Sequence, residues 1–419
     1  MRKKQSKLRR FLKILGPGLV TGASDDDPSG IATYSQTGAQ FGFSTLWTAL
    51  LTFPLMAVVQ EMCARIGVVT SKGLCGTLKD YYPKWLLWFM IVFSAPAIVL
   101  NIGSDIAGMG AVSNLIVPSI SPVYFSIAFT GLLLIMIIYL PYRRFASVLK
   151  YLCASLLVYF IVPFFTRVDF MQLLKHTFIP HIQLNKEFIS ILVAILGTTI
   201  SPYLFFWQAT MEAEELKKSK RQVMINKRLM NEVKEDVDVG MLFSNLVMYF
   251  IILTTASVLF QNGIRKIDTV EQAAQALKPL AGKFAYYLFG IGVIGTGLLT
   301  IPVLAGSLSY IFSEAFGWKG SLDKKFHEAK SFYIVIVVSL LLGLAINYLG
   351  ISPIKALLYT AILYGVTAPL LIGVVLHVAN NKIIMKQFVN RRYSNIMGLI
   401  TLLVMTVAAV FLLYTYLVG

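Results

Sequence analysis

Charged side chains are scarce in this sequence. They make up 14% of its 419 residues, where an ordinary soluble domain carries roughly 25%. With 57% hydrophobic residues beside so little charge, the chain cannot clothe a water-exposed surface, which excludes a soluble domain of useful size. Cysteine is almost as rare. Cys63, Cys75 and Cys153 are odd in number, so no disulfide framework is expected and all three read as small packing residues. The four histidines, His176, His181, His327 and His377, are scattered over loops and helix ends. Cys-x-x-Cys and His-x-x-x-His spacings are missing, which excludes a zinc centre of the usual kind. After the basic start Arg2-Lys3-Lys4 no small-residue cleavage site follows a short apolar core. The first segment therefore reads as a retained helix, not a signal peptide.

What the sequence does have is long apolar blocks. A window of about 20 apolar residues spans a bilayer core as a helix. Eleven such segments are expected: Phe11–Phe43 (interrupted), Leu46–Val69, Trp85–Ala111, Val123–Leu140, Val148–Phe165, Ile189–Met211 (interrupted), Val239–Phe260, Phe284–Phe312, Ser331–Leu349, Ala356–Ala379 and Ile396–Val418. The fold class is an all-α polytopic membrane protein. The formal net charge of +17 would suit nucleic acid if it were concentrated on one surface. With the N-terminus in the cytoplasm, however, 29 of the 37 Lys and Arg residues fall in the tail or in inward-facing loops. That bias is a topology signal of the positive-inside kind. It points to the cell (inner or plasma) membrane, with anionic lipid headgroups as partners of the basic residues. Nucleic acid and an obligate protein partner are not expected.

Two of the segments are broken near their middles, one at Asp25-Asp26-Asp27-Pro28-Ser29-Gly30 and the other at Gly197-Thr198-Thr199-Ile200-Ser201-Pro202-Tyr203. Proline removes a backbone donor and displaces the carbonyl one turn earlier. Carboxylates at bilayer depth are costly and are kept where they line a cavity or bind something, here most simply a cation. The breaks lie five segments apart. An odd repeat of five inverts the second half, so segments one to five and six to ten would be related by a pseudo-two-fold axis in the membrane plane. Paired interrupted helices in inverted halves point to a transport site. The expected organisation is a basic tail (1–10), a first repeat (11–168), an extracellular loop (169–188), a second repeat (189–379) and a final loop with an eleventh helix (380–419).

These residues resemble the NRAMP family of divalent metal transporters along essentially the whole chain. That family carries Asp-Pro-Gly-Asn in its first helix and Met-Pro-His in its sixth. Asp27-Pro28-Ser29-Gly30 and Ser201-Pro202-Tyr203 stand at those places. Gly16-Pro17-Gly18, Glu61-Met62-Cys63-Ala64-Arg65-Ile66-Gly67, Ser104-Asp105-Ile106-Ala107 and Ala305-Gly306 match as well. The resemblance implies a LeuT-type fold with broken first and sixth helices, alternating access and no enzymatic activity. The departures resemble the NRAMP-related magnesium transporter branch. The family's Asn is Gly30, its Met is Ser201, its His is Tyr203, an acidic residue of the third helix is Gly108, and the tenth-helix Gln aligns with Gly365. That branch imports Mg²⁺ and Mn²⁺ without proton coupling.

The chemistry of the breaks leads the same way. Carboxylate, carbonyl, hydroxyl and water ligands suit Mg²⁺ and Mn²⁺, while a thioether favours softer ions. The site expected here is the Asp27 carboxylate, the Ser201 hydroxyl and carbonyls freed at Gly30 and Thr198, with Asp26, Asp105, Tyr203 and Gly365 as further candidates. Small residues at 30, 201 and 365 widen the site for a partly hydrated ion, since Mg²⁺ sheds water reluctantly. No resident cofactor is expected; the metal is cargo. Proton relay needs titratable groups along the path, and Tyr203 and Gly108 offer none at neutral pH. Asp25 and Asp26 are expected in the unwound stretch. Glu61 and Arg65 should pair at i,i+4, and Glu212, Glu214 and Glu215 form a solvated acidic turn at the inner face. Asn245, Thr254 and Thr255 should bond between helices. Rival readings are weaker. An intramembrane aspartyl protease using Asp27 and Asp105 would need the two carboxylates to share a proton. An amino-acid carrier would have an uncharged break, and an aluminium carrier more clustered carboxylates.

Overall fold

The computed structural model describes residues 16–140, 154–166, 168–218 and 225–418. The basic tail, Arg143–Lys150, Cys153, Arg167 and residues 219–224 of an inner loop lie outside them. The described residues are helical, with no strand among them. The helices that organise the molecule are α1 (Pro17–Asp25), α2 (Pro28–Phe41), α3 (Trp47–Thr70), α4 (Leu74–Tyr81), α5 (Lys84–Ile116), α6 (Pro122–Tyr139), α7 (Phe170–Phe178), α8 (Lys186–Thr199), α9 (Pro202–Lys218), α10 (Lys227–Thr255), α11 (Ala285–Phe316), α12 (Lys330–Ile346), α13 (Pro353–Asn380) and α14 (Arg392–Val418).

Among the described residues eight helical stretches are long and apolar enough to cross a membrane, and the chain is a multi-pass membrane protein. They correspond to the expected segments two, three, four, six, seven, eight, ten and eleven. The other three differ for separate reasons. The first segment is cut into pieces of 9 and 14 residues. The fifth lies partly outside the described residues. The ninth, α12, has 17 α-helical residues before a 3₁₀ turn at Asn347–Leu349.

The two breaks share one geometry. α1 ends at Asp26 with φ −83° and ψ 56°, and α8 ends at Ile200 with φ −111° and ψ 58°. In each case the chain restarts as a helix with proline at its first position, Pro28 for α2 and Pro202 for α9. That is where a residue lacking an N–H and fixed near φ −65° costs nothing. Asp25 therefore belongs to the last turn of α1 and is not unwound. The break is only Asp26–Asp27 wide.

The half-helices are held by crossings too close for side chains. A Cβ on Gly22 of α1 would fall on the backbone of Gly240 of α10, and one on Gly18 on Asp236 and Val237. Across the molecule, Gly67 of α3 meets the backbone of Ala209 of α9 in the same manner. α1 of the first segment thus packs on the seventh segment, and α9 of the sixth segment packs on the second. Gly197 of α8 faces Gly365 of α13, and Gly38 of α2 faces Ile252 and Thr255 of α10. Small residues at such places let helices approach within van der Waals reach, which drives association where lipid removes the hydrophobic force.

Carboxylates of neighbouring helices cap two of the helix N-termini. Asp236 accepts the N–H groups of Gly16 (2.8 Å), Gly18 (2.7 Å) and Leu19 (3.3 Å), so α10 caps α1. Glu314 of α11 accepts those of Gly73 and Gly76 (2.8 Å each) and caps α4. Both supply acceptors for donors that a helix N-terminus leaves unpaired. Glu61 and Arg65 pair at 3.1 Å, and Arg65 reaches on to Phe388 O and Asn390 Oδ1. Asn245 accepts from Thr52 of α3, and Thr254 donates to Tyr159 O, both between segments. Thr255 bonds only within its own helix.

Candidate cation site

Asp27 sits at the N-cap of α2, where its extended backbone turns the side chain back over the first turn. Its Oδ1 accepts the Gly30 N–H at 2.6 Å, and its Oδ2 accepts the Asn101 side-chain amide from α5 at 3.0 Å. Only 3% of Asp27 is exposed. The carboxylate is at once a cap and a buried charge. Each of its oxygens has one hydrogen bond and a further lone pair. No Lys or Arg pairs with it among the described residues. A buried anion in that position calls for a positive partner.

The other candidates fall into place around it. Gly30 lies in the first turn of α2. A Cβ there would touch Asp25 O, Thr198 Oγ1 and a Tyr34 ring carbon, each at 3.4 Å, so the two breaks meet at Gly30; being inside α2, its carbonyl belongs to the helix and is not freed as the sequence suggested. Thr198 is in the last turn of α8, whose final carbonyls have no intrahelical partner. The Ser201 hydroxyl donates into that end, to Thr198 O at 2.5 Å and Gly197 O at 3.3 Å. With its proton so engaged, the Ser201 oxygen keeps only acceptor character. Tyr203 donates to Ser24 O at 2.9 Å, and Thr300 of α11 donates to the same oxygen at 3.0 Å. Both tie down the C-terminal end of α1.

Asp25 and Asp26 turn towards α10, where the Ser244 hydroxyl lies 2.6 Å from Asp25 Oδ2 and 3.3 Å from Asp26 Oδ1. Asp105 of α5 is fully buried, with Asp27 and the Ser29 backbone as its polar neighbours, and neither of its carboxylate oxygens has a hydrogen bond of normal geometry. Gly108, one turn on, faces Leu357 and Pro28. Gly365 lies at the α8–α13 crossing, against Val193.

Two sequence readings change here. Glu212 is no part of a solvated turn. It is 5% exposed and accepts from Gln208 at 2.9 Å, and Gln208 in turn accepts from Thr21 of α1. Glu214 keeps surface partners, Lys217 and Ser321. Asn101 was not singled out from the sequence, although it is the one side chain outside the break that touches Asp27. The signal was available. Ser94, Asn101, Ser104, Asp105 and Gly108 recur at helical spacing along an otherwise apolar α5. Thioethers lie near, but each has another neighbour: Met248 takes the Thr199 and Thr52 hydroxyls, Met56 the Asn245 amide. Among the described residues no three His, Cys, Asp or Glu side chains converge as a metal cage. The oxygens gathered here are thus of several kinds and lie buried, with Thr198 and Ser201 each 2% exposed.

Comparison with known proteins agrees with this architecture. Residues 18–415 match the family described as natural resistance-associated macrophage protein-like. A divalent metal cation transporter, MntH, of Caldanaerobacter subterraneus subsp. tengcongensis is 26% identical over 98% of this chain and 95% of its own. One of the same name from Klebsiella pneumoniae is 26% identical over 92% and 90%. In fold, the chain is similar to the Eremococcus coleocola manganese transporter, with TM-score 0.77 at 16% identity, covering 98% of this chain and 87% of that one. It is also similar to Mhp1, a nucleobase-cation-symport-1 family transporter, with TM-score 0.60 at 12% identity over 96% and 93%.

Proposed function

Because this chain belongs to the natural resistance-associated macrophage protein-like family, a family of transporters rather than enzymes, we propose that it imports Mg²⁺ and Mn²⁺ across the cell membrane. It does so by alternating access, without proton coupling, with the N-terminus in the cytoplasm. Carriage of divalent metal cations is the part its relatives share. The choice of hard ions is specific to this sequence. The observation that carries it is the set of oxygens around Asp27: its own carboxylate, a hydroxyl stripped of donor character at Ser201, and the Thr198 carbonyl at the end of α8; the Gly30 carbonyl, held within α2, is not among them. Asp26, Asp105 and Tyr203 stand close behind. Sulfur and imidazole are not among them, and oxygen-only donors suit Mg²⁺ and Mn²⁺. Gly365 contributes as the small residue that lets α8 approach α13.

The alternating-access reading draws support from the two breaks, which share backbone geometry, and from the close crossings α2–α10 and α3–α9, which such an inversion exchanges. They are what two inverted five-helix repeats of the LeuT type would produce, with boundaries at 11–168 and 189–379. The inner halves α1 and α9 then move to expose Asp27 to the cytoplasm. An inside-negative potential of about 100 mV favours entry of a divalent ion by roughly 4.6 kcal/mol, so no second gradient is needed. At the two places where ordinary family members carry an acidic residue and a histidine, Gly108 and Tyr203 supply no group that titrates at neutral pH.

The test is uptake into proteoliposomes of the full chain with Mg²⁺ or Mn²⁺ outside and a pH indicator inside. Flux that follows the imposed potential and leaves internal pH unchanged is expected. Acidification tracking Mn²⁺ entry refutes the uncoupled mechanism. Fe²⁺ or Mn²⁺ flux without Mg²⁺ flux refutes the magnesium assignment and favours a proton-coupled Mn²⁺/Fe²⁺ importer.

A further inference from the structure

The oxygens facing Asp27 across the site have no partners. Asn101 Oδ1, both carboxylate oxygens of Asp105 and the Tyr364 hydroxyl are buried and make no hydrogen bond. Asn101 and Asp105 are 0% exposed and Tyr364 is 2%. A single buried polar atom without a partner costs about 1–3 kcal/mol, and native structures hold few of them. Here four occur together. Asn101 and Asp105 lie one helical turn apart on α5, and Tyr364 of α13 lies against the Asn101 side chain. The Asn101 amide has a fixed orientation. Only its NH₂ end can face a carboxylate, and that end donates to Asp27 Oδ2 at 3.0 Å. Its oxygen is therefore turned away from that carboxylate, and it has no hydrogen bond of its own. By contrast Ser104, on the same stretch of α5, is satisfied by Thr360 at 2.9 Å.

We infer that Asn101 is a specificity-determining residue of the cation site, with its amide nitrogen holding Asp27 in place and its amide oxygen, together with Asp105 and the Tyr364 hydroxyl, forming a second oxygen wall that receives the ion opposite the break. This rests on the reading of Asp27 as the cation site and adds the side of the site that α5 and α13 build. The wall is uncharged except at Asp105 and has no soft atom. It favours an ion that holds strictly to oxygen, and its loss weakens Mg²⁺ more than Mn²⁺.

The experiment compares the full-length protein with Asn101→Leu, Tyr364→Phe and, as a control on α5, Ser104→Ala. Transport KM and Vmax are measured for Mg²⁺ and Mn²⁺ in proteoliposomes, and the melting temperature with and without each ion in detergent. Asn101→Leu is expected to raise the Mg²⁺ KM about tenfold or more, as loss of one ligand-side oxygen would. The Mn²⁺ KM should rise less, and Vmax should stay within about twofold. The ion-dependent rise in melting temperature should shrink in step with affinity. Tyr364→Phe, which deletes a single atom, should raise the Mg²⁺ KM about two- to fivefold, and Ser104→Ala should leave it unchanged. A folded Asn101→Leu protein with both KM values unchanged overturns the inference while leaving the proposed function standing. If Asn101→Leu does not fold, an unchanged Mg²⁺ KM in Tyr364→Phe overturns it. Wild-type protein that carries Mn²⁺ but no Mg²⁺ refutes the magnesium assignment instead. The wall is then read from the Mn²⁺ KM of Asn101→Leu, where a tenfold rise supports it and no change overturns it.

Discussion

Removing the Asp236 carboxylate should release the inner half of the first broken segment. α1 is nine residues long, too short to be a stable helix alone, and its N-terminus has one cap. Asp236→Ala deletes the acceptor for three backbone N–H groups at 2.7–3.3 Å. A helix cap contributes roughly 0.5–2 kcal/mol, and a negative charge at a partly buried helix N-terminus adds up to about 2 kcal/mol. Together these shift the docked state of α1 by about 2–3 kcal/mol. At 1.4 kcal/mol per factor of ten, the ratio of undocked to docked protein rises roughly 30- to 150-fold. The reporter is Ala23→Cys, buried at 6% on α1, in a background with Cys63, Cys75 and Cys153 changed to alanine. Its modification by a membrane-impermeant thiol reagent from the cytoplasmic side should accelerate at least tenfold, in line with that shift. Asp236→Asn, which keeps one acceptor oxygen, should fall between. Unchanged labelling in folded Asp236→Ala protein would refute the claim that this cap holds the inner half in place.

Asp27→Ala should abolish Mg²⁺ and Mn²⁺ uptake while the protein still reaches the membrane; retained flux would remove Asp27 from the site. Ser201→Met supplies a thioether beside the ligand set and should move preference several-fold from Mg²⁺ towards Mn²⁺ in competition uptake. Gly365→Leu places a side chain on the backbone of Val193 and should lower the melting temperature, by about 1–3 kcal/mol of overpacking. The ion-dependent rise in melting temperature should persist in whatever fraction folds, which separates a packing role from a ligand role.

The places where the membrane helices break could be read from the sequence because proline acts locally. Pro28 and Pro202 each lack an N–H, and each ends one helix and starts another without help from the rest of the fold. The width of the first break could not be read this way. Asp25 looked unwound because three adjacent carboxylates are poor helix formers in lipid, but Ser244 of α10 gives it a partner 219 residues away. Glu212 misled for a related reason. Its neighbours Glu214 and Glu215 suggest a wet surface, and only the α1–α9 contact shows that one of the three points inward. Asn101 lies at the opposite extreme. A single polar residue in an apolar helix is easily taken for a packing residue, and its importance appears only when α5 brings it against Asp27. Short-range chemistry was legible; pairings across hundreds of residues were not.

The contact between Gly22 and Gly240 also limits how the first segment can travel. With two backbones touching and no side chain between them, a shift of α1 along its own axis would drive the Cβ atoms of its neighbours into the α10 backbone. Separation normal to the crossing meets no such obstacle. The inner half should therefore peel away from the bundle like a flap, pivoting at the narrow Asp26–Asp27 joint, and the stroke that empties the site is a rotation rather than a piston movement.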